Sequence, residues 1–290
     1  MNFTKMQGAG NDFILVEAGE QEQDWSQMAQ AMCDRHFGVG ADGLVLLLPS
    51  EVAHFQMREF NPDGSEAEAC GNGLRCLAKY VLDRGMINSS TQEMSVETLA
   101  GIREVKLRRE GDGLTTIQVS LGKPEFEAKD IPVAIEPGKE DLVDMKILDY
   151  PVTIGDRELL LSFVSMGNPH AVYFTREPVA DFPLSQLGPE VERHKLFPNR
   201  VNFEVANVVS RQWLEARVWE RGVGETLACG TGACAIAVIA QLHDYIDNKV
   251  DIKLPGGILN IEWDGVGEVF LGGPTEVVFT GEWQSEVETR

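Results

Sequence analysis

An α+β fold built from two similar halves is predicted by three observations: many short alternating segments, few helical ones, and one internal repeat. Ile102–Leu107, Thr115–Leu121, Phe203–Val209, Leu214–Glu220, Val250–Leu254 and Ile258–Trp263 alternate apolar and polar residues and read as strands. Three segments read as helices. Asp24–Cys33 has Asp24 as N-cap and Trp25, Met28, Ala29 and Met32 on one face. Leu74–Asp83 repeats apolar residues at Leu74, Leu77, Ala78, Val81 and Leu82, and Ala233–Leu242 is apolar nearly all round, as a helix enclosed on every side would be. Strands in this excess favour α+β over a doubly wound parallel sheet.

The repeat carries the domain reading. Ala69-Cys70-Gly71-Asn72-Gly73 returns 159 residues later as Ala228-Cys229-Gly230-Thr231-Gly232. Upstream, Met6-Gln7-Gly8-Ala9-Gly10-Asn11 parallels Met166-Gly167-Asn168, with Asn-to-Cys spacings of 59 and 61. Downstream, Ala100-Gly101-Ile102 parallels Gly256-Gly257-Ile258, 31 and 28 residues past the cysteines. Three anchors in one order predict a duplication. Lys123–Leu148, with Pro124, Pro132 and Pro137 and weak periodicity, reads as the connection. The first half is therefore placed at 1–120 plus 275–290, its tail strand Glu276–Phe279 completing it, and the second at 121–274.

Composition excludes several classes. The 290 residues hold 25 Lys+Arg against 46 Asp+Glu, a formal charge of −21, which argues against a general nucleic-acid or anionic-membrane binder. No apolar run approaches ~18 residues, so no membrane helix is expected. The start, Met1-Asn2-Phe3-Thr4-Lys5-Met6, lacks a basic region followed by an apolar one, so no signal peptide is expected. Five scattered cysteines read as a reducing compartment, with the cytoplasm as default.

Cys70 and Cys229 each precede Gly-X-Gly and an apolar segment, so each sulfur is expected at a helix N-terminus, where unpaired N–H groups and a positive dipole meet it. Such an environment lowers a thiol toward the neutral range. The glycines let N–H groups close on an anion such as a carboxylate. Facing one another across a cleft, two such thiols suit inversion of a stereocentre without a cofactor, which requires a base on one face and an acid on the other. The developing carbanion would be stabilised by the helix-end N–H groups. A single copy could equally be a core cysteine at a tight turn; two copies in register favour the chemistry.

At these residues the sequence resembles the diaminopimelate epimerase family of cofactor-independent, two-cysteine enzymes. The resemblance runs nearly the whole chain, through Gly8-Ala9-Gly10-Asn11-Asp12-Phe13, Phe60-Asn61-Pro62-Asp63-Gly64-Ser65, Cys70-Gly71-Asn72-Gly73-Leu74-Arg75-Cys76, Ser165-Met166-Gly167-Asn168-Pro169-His170, Arg200-Val201-Asn202, Glu220-Arg221-Gly222-Val223-Gly224-Glu225-Thr226 and Cys229-Gly230-Thr231-Gly232. It implies two pseudo-symmetric domains, each a barrel-like mixed sheet around a central helix, and interconversion of LL- and meso-2,6-diaminopimelate for lysine and peptidoglycan synthesis by a homodimer. It further implies Cys70 and Cys229 as the acid–base pair, with Gly71-Asn72 and Gly230-Thr231 binding the reacting carboxylate. Asn61, Asn168, Asn202 and Arg221 would hold the distal amino-acid end, with Asn11 also in the pocket. Glu220 would accept from an ammonium and, with His170, tune the thiols. Amides and one guanidinium suit a second carboxylate and ammonium.

Taken singly, these residues have plainer readings. Asn61 before Pro62-Asp63-Gly64 would be a turn residue, His170 a loop residue, and Glu220-Arg221 a solvated pair at a strand end. One position departs from the resemblance: some family members carry a Gln that touches substrate where this chain has Gly43. Cys33, Cys76 and Cys234 read as small core residues. No nucleotide-binding glycine series, phosphate loop, His-Glu-x-x-His or paired Cys-x-x-Cys is present, so neither metal nor cofactor is expected. The alternative readings are a racemase of another amino acid, such as histidine, or a thiol redox or anion-binding protein.

Overall fold

The computed structural model describes residues 1–19, 23–67, 70–88, 90–110, 114–134 and 145–284; Ala69, Pro137 and the tail beyond Gln284 lie outside them. The chain divides into two compact units, one of Met1–Val119 with Gly272–Arg290, the other of Ser120–Leu271.

Unit one contains β1 (Asn2–Gly8), β2 (Asn11–Glu17), α1 (Trp25–Cys33), β3 (Gly43–Leu48), β4 (Phe55–Phe60), β5 (Glu66–Ala67), α2 (Gly71–Asp83), β6 (Glu93–Thr98), β7 (Gly101–Glu110) and β8 (Leu114–Ser120), whose last residue begins the next unit. Unit two contains β9 (Tyr150–Ile154), β10 (Arg157–Ser165), β11 (Pro169–Thr175), α3 (Leu184–Glu192), β12 (Asn202–Ser210), β13 (Trp213–Glu220), β14 (Gly224–Thr226), α4 (Gly230–Leu242), β15 (Lys249–Leu254), β16 (Gly257–Glu262) and β17 (Phe270–Gly272), whose last residue belongs to unit one. The chain then returns to unit one as β18 (Glu276–Glu282), which pairs antiparallel with β1.

The strands of the two units are wired alike. In unit one β1–β2 is antiparallel, β2–β3 parallel, β3–β4 antiparallel, β4–β6 parallel and β6–β7 antiparallel. In unit two β10–β11, β11–β12, β12–β13, β13–β15 and β15–β16 repeat the same five senses in the same order. Parallel neighbours need a crossover, and a helix supplies each one. α1 and α2 make the two crossovers of unit one, and α3 and α4 those of unit two. α2 packs on β1 to β4, and α4 on β10, β11, β12 and β16.

The fold class is thus the α+β, mixed-sheet arrangement expected, with one helix more than the periodicity predicted. α3 is hidden in the sequence because Pro183 precedes it and Gly188-Pro189 interrupts it. Gly188 is required there: a Cβ would come within 2.5 Å of the Trp219 ring. α1 begins as expected, with the Asp24 carboxylate accepting from Gln27 N–H at 3.0 Å. α2 and α4 start three residues before the predicted Leu74 and Ala233, because the Gly-X-Gly residues form the first helical turn. Leu74 N–H donates to the Cys70 carbonyl at 2.8 Å, and Ala233 N–H to that of Cys229 at 3.0 Å.

Each unit has its own apolar core. Ile14, Val16, Trp25, Ala29, Met32, Leu44 and Leu46 interlock in unit one, and Leu161, Phe163, Leu184, Val191, Phe203 and Val205 in unit two. Ile131 and Ile147, from the proline-rich connection, are buried in the second. The turn after α1 is tight at Gly38, where a Cβ would collide with the Ala31 carbonyl and sit 2.8 Å from that of Met32 and 2.9 Å from that of Asp34. Backbone cannot step aside as a side chain can. Gly38→Ala is therefore expected to lower unfolding stability by about 3 kcal/mol; a urea midpoint equal to that of the parent chain would refute the packing described.

Candidate active site

In unit one Cys70 is the N-cap of α2 with extended backbone, half-buried. Its Sγ lies 3.7 Å from Asn11 Oδ1, and Asn72 Nδ2 donates to the same oxygen at 3.2 Å. Asn11 cannot turn over, because its Nδ2 donates to Asp42 Oδ2 at 2.7 Å and a carboxylate only accepts. Asp42 is held in turn by Arg35, which also grips Asp12. Burial would raise the Asp12 carboxyl, but hydrogen bonds from Arg35 and Lys5 outweigh it and hold Asp12 well below the usual range. Buried Asn72 is fixed from the other side by Arg75 Nη2 at 2.8 Å. Asn61 closes its own turn, its Nδ2 donating to Ser65 Oγ at 2.9 Å.

Unit two builds the matching turn. Cys229, 6% exposed, caps α4, and its sulfur accepts from Gly232 N–H at 3.4 Å with Thr231 Oγ1 at 3.5 Å. Asn168 Nδ2 donates to that hydroxyl at 3.4 Å. His170 is fully buried, with Nε2 2.9 Å from Asn168 Oδ1 and Nδ1 2.7 Å from Glu204 Oε1. Asn202 joins two loops: its Nδ2 donates to the Pro169 carbonyl and its Oδ1 accepts from Arg221 N–H, both at 2.9 Å. Arg221 is exposed and donates to the Asn199 carbonyl at 3.2 Å. Glu220 accepts from Thr226 Oγ1 at 2.5 Å.

One expectation fails. Neither thiol is lowered by its helix N-terminus. Burial and the Glu59 carboxyl push Cys70 up, against the N–H groups of Gly73 and Asn72 and the Arg75 guanidinium. Burial and Glu220 push Cys229 well up, with Glu204 adding to them against Thr231 and Gly232 N–H. Loss of water and nearby carboxyls outweigh a few backbone dipoles. Cys33 and Cys76, also raised by burial to about 12, behave as the core residues expected.

Two acidic residues escaped the sequence reading, because the 159-residue offset sets a valine against each and only the strand pairing brings them to equivalent places. Arg58–Glu66 and Arg217–Glu225 are bidentate pairs of the same geometry, 2.7 and 3.0 Å, at matching positions of β4–β5 and β13–β14. Carried one residue further, the offset pairs Glu59 with Val218 and Val45 with Glu204. Val45 and Glu59 are cross-strand partners, and so are Glu204 and Val218. A buried carboxyl therefore lies under each Gly-X-Gly turn, contributed by opposite strands of equivalent ladders. A Cβ on Gly73 would sit 2.6 Å from Glu59 Oε2, and one on Gly232 3.0 Å from Glu204 Oε1.

The unexpected Gly43 has a local cause: a Cβ there would press on the Phe13 ring and the Phe60 carbonyl, both at 3.3 Å. Its counterpart at the same offset is Asn202. Among the described residues no group of three or more His, Cys, Asp and Glu could hold a metal ion, and no helix is long and apolar enough to cross a membrane.

Known structures share this architecture. A phenazine biosynthesis protein of the PhzF family from Bacillus anthracis superposes with a TM-score of 0.68 at 18% identity, covering 98% of this chain and 99% of that one. A hydroxyproline epimerase of Agrobacterium vitis, bound to trans-4-hydroxy-L-proline, gives 0.68 at 15% identity, covering 97% and 91%. The protein therefore has the two-domain mixed-sheet fold of that structural class. Sequence narrows the class. The diaminopimelate epimerase family profile matches residues 3–127 and 162–278. The diaminopimelate epimerases of Acetivibrio thermocellus and Pelotomaculum thermopropionicum are 47% and 46% identical over 285 and 286 residues, covering 97% and 98% of this chain and 98% and 99% of theirs. The chain belongs to the diaminopimelate epimerase family.

Proposed function

We propose that the protein is an amino-acid epimerase interconverting LL- and meso-2,6-diaminopimelate, in the biosynthesis of lysine and peptidoglycan precursors. The observation that carries the reading is the pair of Cys-Gly-X-Gly helix starts, one in each unit, in a chain nearly half identical to diaminopimelate epimerases along its length. Cys70 and Cys229 are assigned as the two proton carriers: one thiolate takes the α-proton, and the other thiol gives a proton to the opposite face. The backbone N–H groups of Gly71-Asn72 and Gly230-Thr231 receive the reacting carboxylate and stabilise the carbanion as it forms. Asn11, Asn61, Asn168, Asn202 and Arg221 are assigned to substrate binding, with the distal carboxylate and ammonium as their targets. Glu220, whose charge already bears on Cys229, and His170 tune the thiols. No cofactor is called on.

Burial raises both thiols above their ordinary value, so each is a poor base until positive charge comes beside it. The substrate's α-ammonium supplies the favourable charge, lowering the thiol it approaches. We also propose a cytoplasmic homodimer, as the family resemblance implies; sedimentation velocity reads the mass directly, and a monomer at micromolar concentration would overturn it. The principal test incubates the reduced protein in deuterated water with LL-diaminopimelate and, separately, with L-histidine. Wash-in of α-deuterium with inversion on diaminopimelate is expected; exchange on histidine alone would replace the substrate, and exchange on neither would end the enzymatic reading.

A further inference from the structure

Glu204 is a carboxyl with no exposed surface, in the middle of β12, and nothing assigned so far uses it. Its Oε1 lies 2.7 Å from His170 Nδ1, and its Oε2 is buried without a hydrogen-bond partner among the described residues. From this acid a continuous chain of polar contacts runs to Cys229: Glu204 to His170, His170 to Asn168 at 2.9 Å, Asn168 to Thr231 at 3.4 Å, and Thr231 to the sulfur at 3.5 Å.

The direction of that chain follows from donor chemistry. A carbonyl oxygen only accepts, so a His170 Nε2 that faces Asn168 Oδ1 carries a proton. One further proton then lies between Nδ1 and Glu204 Oε1, whether drawn on the ring or on the carboxyl. With Nε2 as donor, Asn168 is held with its Nδ2 toward Thr231. A His170 protonated only at Nδ1 would donate to Glu204 and reverse the links beyond the ring, because Nε2 would then demand a donor and the amide would turn its oxygen toward Thr231. The other half orients its amide differently: there Asp42 takes the Asn11 Nδ2 and presents Oδ1 to Cys70.

We propose that Glu204 is a positioning residue which, by sharing a proton with His170, keeps Nε2 protonated and thereby fixes the Asn168 amide with its NH2 group toward Thr231 and the bound amino acid. The proposal rests on the assignment of Asn168 to substrate binding, and its first readout does not depend on activity. Protein carrying 15N-labelled histidine is expected to show one imidazole of the five with Nε2 protonated and a strongly downfield Nδ1 proton, both signals disappearing in His170→Asn. Glu204→Val, the residue found at the equivalent position 45 of the other unit, leaves Nδ1 neither acid nor donor. It is expected to remove the downfield proton, raise KM for diaminopimelate about 10-fold and leave kcat within about threefold, since an Asn168 amide no longer held weakens binding without removing a proton carrier. A wild-type spectrum with Nε2 unprotonated would overturn the proposal, as would an unchanged KM in a folded Glu204→Val protein. Failure to turn over diaminopimelate at all would instead strike the substrate assignment, leaving the nitrogen spectrum to judge Glu204.

Discussion

Cys70→Ala and Cys229→Ala are each expected to lower epimerisation of diaminopimelate by on the order of 10⁴, because each removes the sulfur proposed to carry the proton on one face of the α-carbon. Deuterium wash-in with chiral analysis of the product checks this, and turnover within tenfold of the parent in either variant would contradict the role given to that sulfur. The two variants are expected to differ in stability. Cys229 accepts the Gly232 N–H as the side-chain cap of α4, whereas Cys70 makes no such bond at α2. Loss of a cap costs about 1 kcal/mol, so Cys229→Ala alone is expected to show a reduced urea midpoint.

Glu59→Gln is expected to stabilise the protein, and to do so in a pH-dependent way. Burial pushes this carboxyl up from its ordinary 4.5 to about 8. Between those values the unfolded chain releases the proton while the folded chain retains it, so wild-type stability falls as pH rises through that window. The amide has no proton to release. Its advantage is expected to be absent below pH 4.5, on the order of 3 kcal/mol at neutrality, and to level off above pH 8. Chemical denaturation at several pH values measures it, and parallel profiles for the two proteins would show that Glu59 titrates alike in the folded and unfolded chain. Below pH 8 the carboxyl is neutral, so its charge bears on Cys70 only in alkaline solution.

A protein that retains a buried acid under each cysteine turn forgoes some stability. Glu204 makes a specific contact with His170 in exchange. Glu59 Oε2 has no partner among the described residues, and the structure shows no contact that explains its retention.

Much of the architecture could be read from local pattern. Asp24 announced α1, the alternating segments announced β7, β8, β12, β13, β15 and β16, and the recurrence of Cys-Gly-X-Gly announced equivalent helix starts in each half. These features depend on neighbours a few residues away, which a sequence displays directly. α3 was lost because Gly188 and Pro189 oppose a helix locally, and only the Trp219 ring against Gly188 shows why glycine stands there. The protonation of the two thiols reversed the expectation for the same kind of reason. A helix N-terminus is visible in the chain, but the removal of water and the approach of Glu59, Glu204 and Glu220 are produced by distant strands. Spacing along the chain thus specified where the sulfurs stand on their helices; packing across the sheets decided what charge surrounds them, because electrostatic energy depends on distance in space and on exclusion of solvent.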